Sequence, residues 1–173
     1  MKSFTIQAVR TADVLKLQSI ARQTFTETFS SQNTEENMNM YLTEALSVEN
    51  LTLELQDSNS LFYFAIEDNT IVGYLKLNTA SSQTEKQPEE ALEIERIYVL
   101  KAYQGRQIGQ VLYEKALAVA NELQVSYVWL GVWERNERAI QFYTKNDFVE
   151  FGQHIFTLGE DEQVDKLMKK NIL

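Results

Sequence analysis

Gln104-Gly105-Arg106-Gln107-Ile108-Gly109 stands between an apolar, strand-like run, Leu92 to Val99, and an amphipathic run that opens a helix near Gln110. A strand that feeds a short glycine-bearing loop and then a helix N-terminus directs unpaired backbone N–H groups and the positive end of the helix dipole at one point. That point suits a pyrophosphate. The loop lacks the Lys-Ser/Thr ending of a P-loop and the three-glycine dinucleotide fingerprint, which disfavours ATP and NAD. Taken by themselves, these six residues also read as a plain glycine-bearing turn.

Further along, the chain runs from Val128-Trp129-Leu130-Gly131-Val132-Trp133 through Glu134-Arg135-Asn136 into Glu137-Arg138-Ala139-Ile140-Gln141-Phe142-Tyr143, and then Thr144-Lys145-Asn146-Asp147-Phe148. The order is strand, Asn, helix and a Phe-led strand. Ala139, Phe142 and Tyr143 are spaced i, i+3 and i+4, so they share one helical face and pack against the sheet together.

These two blocks resemble the GNAT superfamily of acetyltransferases. The first is similar to the Gln/Arg-x-x-Gly-x-Gly/Ala loop with which family members grip the pyrophosphate of acetyl-CoA. Gln104 and Gly109 match its ends, and Gln107 replaces the inner glycine, where a left-handed backbone is costly for any other residue. The resemblance implies acetyl-CoA as co-substrate, without a metal. It implies a coenzyme site built from Ile97, Tyr98, Val99, Gln104, Gly105, Arg106, Gln107, Ile108, Gly109, Gln110, Asn136, Tyr143 and Lys145, with Asn136 bonding the pantetheine arm. In the family, the Tyr matching Tyr143 protonates the departing thiolate; the other reading of Tyr143 is a core aromatic whose hydroxyl finds a partner. The run Leu92 to Val99, the run Trp129 to Glu134 and a tail with Gly152, His154, Phe156, Gly159 and Asp165 are similar to bacterial PaiA-type polyamine N-acetyltransferases, which implies spermidine or spermine as acceptor.

Composition agrees with one compact domain over residues 1–173: 44% of the residues are hydrophobic, with 6 Gly and 1 Pro. No apolar run approaches the roughly 20 residues needed to span a bilayer. Met1-Lys2-Ser3-Phe4-Thr5-Ile6 alternates like a strand and unlike a signal peptide, so a cytoplasmic location and no membrane partner are expected. The absence of cysteine excludes disulfides and a thiol nucleophile, and His154, the single histidine, makes a zinc site improbable. A net charge of −9 argues against nucleic acid and accommodates a cationic small molecule, though acidity also serves solubility alone.

Periodicity places a first strand at Phe4, Ile6 and Ala8, and a helix after Thr11-Ala12-Asp13 with Val14, Leu17, Ile20, Ala21 and Phe25 on one face. A second helix starts after Thr34 and a third is capped by Ser47. A hairpin follows, Leu61 to Glu67 and Ile71 to Asn78, turning at Asp68-Asn69. Thr79 to Glu90 reads as a solvated connection or, less simply, a substrate lid. Leu92 to Val99, Gly109 to Leu123, Tyr127 to Val132 and Asn136 to Asn146 complete two strand–helix steps, and a final hairpin pairs Phe148 to Thr157 with Gln163 to Lys169. The expected fold is α/β, a twisted, partly parallel sheet of about seven strands with helices on both faces.

An amine that attacks a thioester directly needs no enzyme nucleophile. It needs a donor to the carbonyl, which a splayed or bulged strand around Ile97 to Val99 frees. It also needs a base, because an ammonium has no lone pair. Glu93 and Glu95 share one side of their strand by parity and are the candidate bases, alternatively exposed edge carboxylates or an ion pair with Arg96. Phe25, Glu27, Phe29, Glu35 and Glu36 are candidates to hold an aliphatic polyamine, or else form a core face and a solvated face. His154 is either strand filler or a substrate ligand. Three readings follow: a polyamine N-acetyltransferase, a protein N-terminal or lysine acetyltransferase, and a non-catalytic acetyl-CoA-binding regulator. A homodimer stays open.

Overall fold

The computed structural model describes residues 3–172; Met1 and Lys2, at the head of the alternating N-terminal run, and Leu173 lie outside the described residues. The order of elements is β1 (Thr5–Ala8), α1 (Val14–Phe29), α2 (Glu35–Glu44), α3 (Val48–Gln56), β2 (Ser60–Glu67), β3 (Thr70–Asn78), β4 (Ala91–Val99), α4 (Ile108–Leu123), β5 (Tyr127–Trp133), α5 (Glu137–Lys145), β6 (Val149–Leu158) and β7 (Asp161–Asn171). The seven strands form one sheet in the order β1-β2-β3-β4-β5-β7-β6. Only β4 and β5 run parallel, as the crossover through α4 requires.

Local chemistry sets the boundaries. Thr34 and Ser47 accept the backbone N–H groups of Asn37 and Asn50, each at 3.1 Å, and so start α2 and α3. Asp68 and Asn69 both take positive φ, the geometry of the tight turn whose twist matches a β-hairpin. Each helix buries one stripe. Leu17, Ile20, Ala21, Phe25 and Phe29 of α1 pack with α2, α3 and the sheet residues Phe62, Phe64, Tyr74 and Trp133. On the opposite face Leu112, Tyr113, Ala116 and Val119 of α4, with Tyr143 of α5, cover Leu75, Leu92, Ile94, Val128 and Leu130. Each buried Leu, Ile, Val or Phe among them contributes about 1.5–3 kcal/mol. The expected fold class is the one observed. Among the described residues no helix is long and apolar enough to cross a membrane.

Two irregularities in the middle of the sheet position the site. First, β3 and β4 slip register between Lys76 and Leu77: Lys76 pairs with Arg96 but Leu77 with Ile94, so Glu95 is the extra residue of a bulge. Second, β4 and β5 pair only at Ala91–Tyr127, Leu92–Val128 and Glu93–Trp129. Beyond Glu93 the two strands part, β4 staying with β3 and β5 with β7. The sheet is thus split into two arms from its centre outward.

Candidate active site

A cavity of about 900 Å³ occupies the split. Val72 accepts the Leu100 N–H at 2.9 Å, on the β3 side. By the alternation of an extended strand, the N–H groups of Ile97 and Val99 therefore point the other way, into the gap that β5 has left. Both residues, with Tyr98, line the cavity. The sequence expectation of a donor between Ile97 and Val99 narrows to these two.

The loop closing one end has Gly105 at φ 81° and Gln107 at φ 65°, ψ 15°, with Gln107 the residue preceding α4. Alternating left-handed residues turn neighbouring N–H groups to a common side, and the first N–H groups of α4 join them. A Cβ added at Gly105 or Gly109 would meet nothing within 4 Å, so the concavity is open. These features fit a pyrophosphate. The conformation that was costly for a non-glycine residue is the one Gln107 adopts, at a strain of about 1–2 kcal/mol. Gln104 donates to the Val99 carbonyl at 3.2 Å and accepts from Arg138 at 2.6 Å, which brings a cation of α5 to the loop. Gln110 donates to Asn146 at 3.2 Å. Within the same loop the Arg106 side chain turns away from the cavity. Its guanidinium turns to Glu67 at 3.5 Å and over the Tyr103 ring, and it is not among the cavity-lining side chains.

On the other arm, the Asn136 side-chain oxygen Oδ1 accepts the Ala139 N–H at 3.2 Å and caps α5. Asn136, Arg138, Tyr143 and Lys145 all line the cavity. Tyr143 is 6% exposed and its ring packs on Phe142 and Phe148. Burial pushes its hydroxyl above the ordinary phenol range, and the nearby Tyr98 phenol adds to the shift, so it is a neutral O–H at physiological pH.

The two strand carboxylates share a face, as parity predicted, since the Asn78 amide donates to Glu93 at 3.3 Å and to Glu95 at 2.9 Å. Neither is an exposed edge group. Glu95 contacts the Lys76 ammonium directly and lies 3.8 Å from Arg96, while Arg96 makes a two-pronged bond to Glu54 at 3.0 and 3.1 Å. Burial alone would raise the Glu95 carboxyl, but Arg96 and Lys76 outweigh it and hold the group below the usual glutamate range. Glu93 is 2% exposed and accepts the backbone N–H and the hydroxyl of Thr84 at 2.8 and 2.5 Å. Burial raises its carboxyl above the usual range, against the opposing hydrogen bonds from Thr84.

At this end Phe25, Glu27, Phe29, Tyr41, Tyr74, Trp133, Phe156 and His154 also face the cavity. Phe25 stacks on Tyr41 at 4.0 Å, and Glu27 accepts the Lys101 N–H at 2.7 Å. Glu35 and Glu36 do not reach it. They sit in the first turn of α2 on a separate shallow surface with Asn39, Met40, Thr43 and Glu44, because the buried stripe of α2 is carried by Met38. His154 is more than strand filler: it lies in the cleft beside Asp165, 3.3 Å away. Nor is the 79–90 segment merely a solvated connection. Gln83 accepts from the Trp129 indole and Gln87 from the Tyr127 hydroxyl, both at 2.7 Å, and Thr84 lines the cavity.

Sequence reasoning did not assign Arg138, Tyr41, Tyr74 or Thr84 to the site, and it named Asp165 only as part of the PaiA-like tail. For Asp165 a signal existed, since a two-residue turn at Gly159-Glu160 pairs Leu158 with Asp161 and hence His154 with Asp165. Tyr41 and Thr84 reach the site only through tertiary packing. Among the described residues no group of three or more His, Cys, Asp or Glu side chains is arranged to hold a metal ion.

Comparison with known proteins bears on this geometry. The profile of the Acetyltransferase (GNAT) family matches residues 16–148. An uncharacterized N-acetyltransferase from the pepI 3′ region of Lactobacillus delbrueckii subsp. lactis is 38% identical over 173 residues, the whole of both chains. A spermidine N(1)-acetyltransferase of Thermoplasma acidophilum is 26% identical over 150 residues, 84% of this chain and 88% of that one. Among solved structures, the PaiA N-acetyltransferase of Thermoplasma acidophilum in complex with coenzyme A superimposes with a TM-score of 0.77 at 25% identity, covering 98% of this chain and 99% of that one. A profile match over most of the chain, a full-length relative and a coenzyme-bound neighbour converge with the split sheet and the left-handed loop before α4: the chain belongs to the GNAT acetyltransferase family and is an acetyl-CoA-dependent N-acetyltransferase.

Proposed function

We propose that this enzyme acetylates a primary amine of a small polycation of the spermidine and spermine class. One observation carries the reading: the acceptor end of the cavity combines Glu27, Glu93 and Asp165 with the rings of Phe25, Phe29, Tyr41, Tyr74, Trp133 and Phe156. Carboxylates suit ammonium groups and aromatic faces suit both the methylenes and the cations between them. The 79–90 segment, bonded across β4 and β5, gives this end a wall, which favours a slender acceptor over a protein chain lying in an open groove. The similarity to a spermidine N(1)-acetyltransferase points the same way.

Acetyl-CoA supplies the activated acetyl group. The chain's own residues divide the remaining work. The left-handed loop at Gly105 and Gln107, the α4 N-terminus, Arg138 and Lys145 hold the phosphates; Asn136 serves the pantetheine arm. The Ile97 and Val99 N–H groups, unpaired by β5, are placed to polarise a carbonyl in the gap. Glu93 is the better base of the two strand glutamates. Its raised carboxyl lies closer to an amine's needs, whereas Glu95 is neutralised by Lys76 and Arg96 and serves to keep the bulge in place. Tyr143, a neutral buried phenol at the cavity wall, is the proton donor to the leaving sulfur.

The test is release of free CoA from acetyl-CoA across spermidine, spermine, diamines, amino sugars and short peptides, with acetyl-CoA binding measured in parallel. Turnover with kcat/KM highest on the polyamines supports the reading. Turnover on peptides alone assigns a protein acceptor, and tight coenzyme binding without turnover on any amine would favour the regulator.

A further inference from the structure

The 79–90 segment crosses the split end of the sheet and is held on both arms. On the β4 arm, Thr84 donates twice to Glu93. On the other arm, the next residue, Glu85, brings a carboxylate oxygen to 3.0 Å from His154 Nδ1. His154 is on β6, and its second nitrogen, Nε2, lies 3.3 Å from Asp165 on β7. One imidazole is therefore clamped between two carboxylates from different elements. Space for it is made by β5, where a Cβ at Gly131 would come within 3.0 Å of His154 Cε1 and 3.4 Å of Asp165 Oδ2. On β5 the ring meets the Gly131 backbone, and Gly152 and Phe156 flank it on β6; the Tyr98 phenol lies near the Asp165 carboxyl, which burial holds above the usual aspartate range against the pull of His154. The Nδ1 contact is a close charge pairing lying off the hydrogen-bonding direction.

A neutral imidazole carries one N–H and meets only one of two ionised carboxylates favourably; an imidazolium meets both. The contacts to Glu85 and Asp165 thus hold together when the ring carries its second proton, and one of them loses its attraction when it does not. Because Thr84 and Glu85 are adjacent in the chain, whatever fixes Glu85 also fixes the donor pair on Glu93.

We propose that His154 is a positioning residue: paired with Asp165 and Glu85, it holds the 79–90 segment across the split sheet and keeps Thr84 on the Glu93 carboxylate. The inference rests on the reading of Glu93 as the base, and its direct test does not need an acceptor. His154 acts through the segment: by holding Thr84 on the carboxylate it sets how readily Glu93 takes a proton.

The experiment is limited trypsin cleavage after Lys86, which is exposed in the middle of the segment, followed by mass spectrometry and normalised to an unstructured reference peptide. In His154→Gln and in Glu85→Gln, the latter at a half-exposed position that leaves the core intact, the normalised rate at neutral pH is severalfold that of the wild type. Equal rates in all three proteins overturn the proposal. On the acceptor identified by the amine panel, Thr84→Val and His154→Gln each move the acidic limb of the kcat pH profile to higher pH with acetyl-CoA affinity unchanged, because the Thr84 hydrogen bonds hold the Glu93 carboxyl down, and the double variant moves it no further than the larger single shift, since both act through one segment. Additive shifts overturn the coupling. If no amine is turned over, the proposed function falls and the cleavage rates alone decide whether His154 holds the segment.

Discussion

Three residues carry opposite demands of stability and chemistry. Tyr143 is packed among Phe142 and Phe148, so its ring is structural whatever its hydroxyl does. Tyr143→Phe preserves the ring and removes the proton; kcat should fall on the order of 10²-fold while the acetyl-CoA Kd, by isothermal titration, stays within about twofold. Glu93 has a raised folded-state pKa, chiefly from burial. A raised carboxyl contributes stability that is complete below the unfolded value near 4.5 and is lost as pH rises through the higher folded value. Glu93→Gln should therefore flatten the decline of urea-unfolding stability over that interval, and should also lower kcat and abolish the acidic limb of its pH profile. Gln107 sits at φ 65°, where glycine is free of strain. Gln107→Gly should raise stability by up to about 1 kcal/mol, the relief being partly offset by the freer unfolded chain, with a Tm shift of a few degrees as the readout.

At the scale of elements, the site is made by what β4 does and does not pair with. Its C-terminal half must stay on β3 for Ile97 and Val99 to face the gap, and Gly73 allows that contact. A Cβ there would lie 2.6 Å from the Tyr98 carbonyl oxygen, a backbone atom that cannot swing aside. Gly73→Ala should cost about 1–3 kcal/mol in chemical denaturation, and should weaken turnover more than it weakens coenzyme binding, because the strand it displaces carries the proposed carbonyl donors and not the loop proposed to hold the phosphates. The elements themselves were legible. Thr34, Ser47, Asp68-Asn69 and the i, i+3, i+4 face of α5 announce caps, a hairpin turn and a packed helix through local chemistry. The bulge at Glu95 was not, because nothing in Glu93-Ile94-Glu95-Arg96 distinguishes a slipped ladder from a regular one.

Across the whole molecule, Glu54, Lys76, Glu95 and Arg96 join α3, β3 and β4 in one buried network of two acids and two bases. The members are far apart in sequence, and each is satisfied only when the three elements meet. Burying such charges yields little net stability over a well-packed apolar cluster, but it makes the loss of one member expensive. Glu54→Gln leaves two cations facing one carboxylate and should destabilise the fold by about 3 kcal/mol, measured by urea denaturation at neutral pH. The same network fixes the acceptor side of the cavity, since Arg96 also stands against the phenols of Tyr41 and Tyr74.

The sequence by itself determined the order of strands and helices, the glycine-bearing loop between β4 and α4 and the placing of Asn136 at the cap of the helix that carries Tyr143, because these depend on spacing within a few residues of chain. It also determined that both strand glutamates share a face. Only the tertiary structure decided that Glu95 is neutralised and Glu93 is not, that Glu35, Glu36 and the Arg106 side chain lie off the cavity, and that the 79–90 segment reaches His154. Those outcomes turn on Lys76, Glu54, Thr84 and Asp165, which approach the site from other strands, helices and loops; a charge's partner and a group's burial are properties of packing, and local spacing does not encode them.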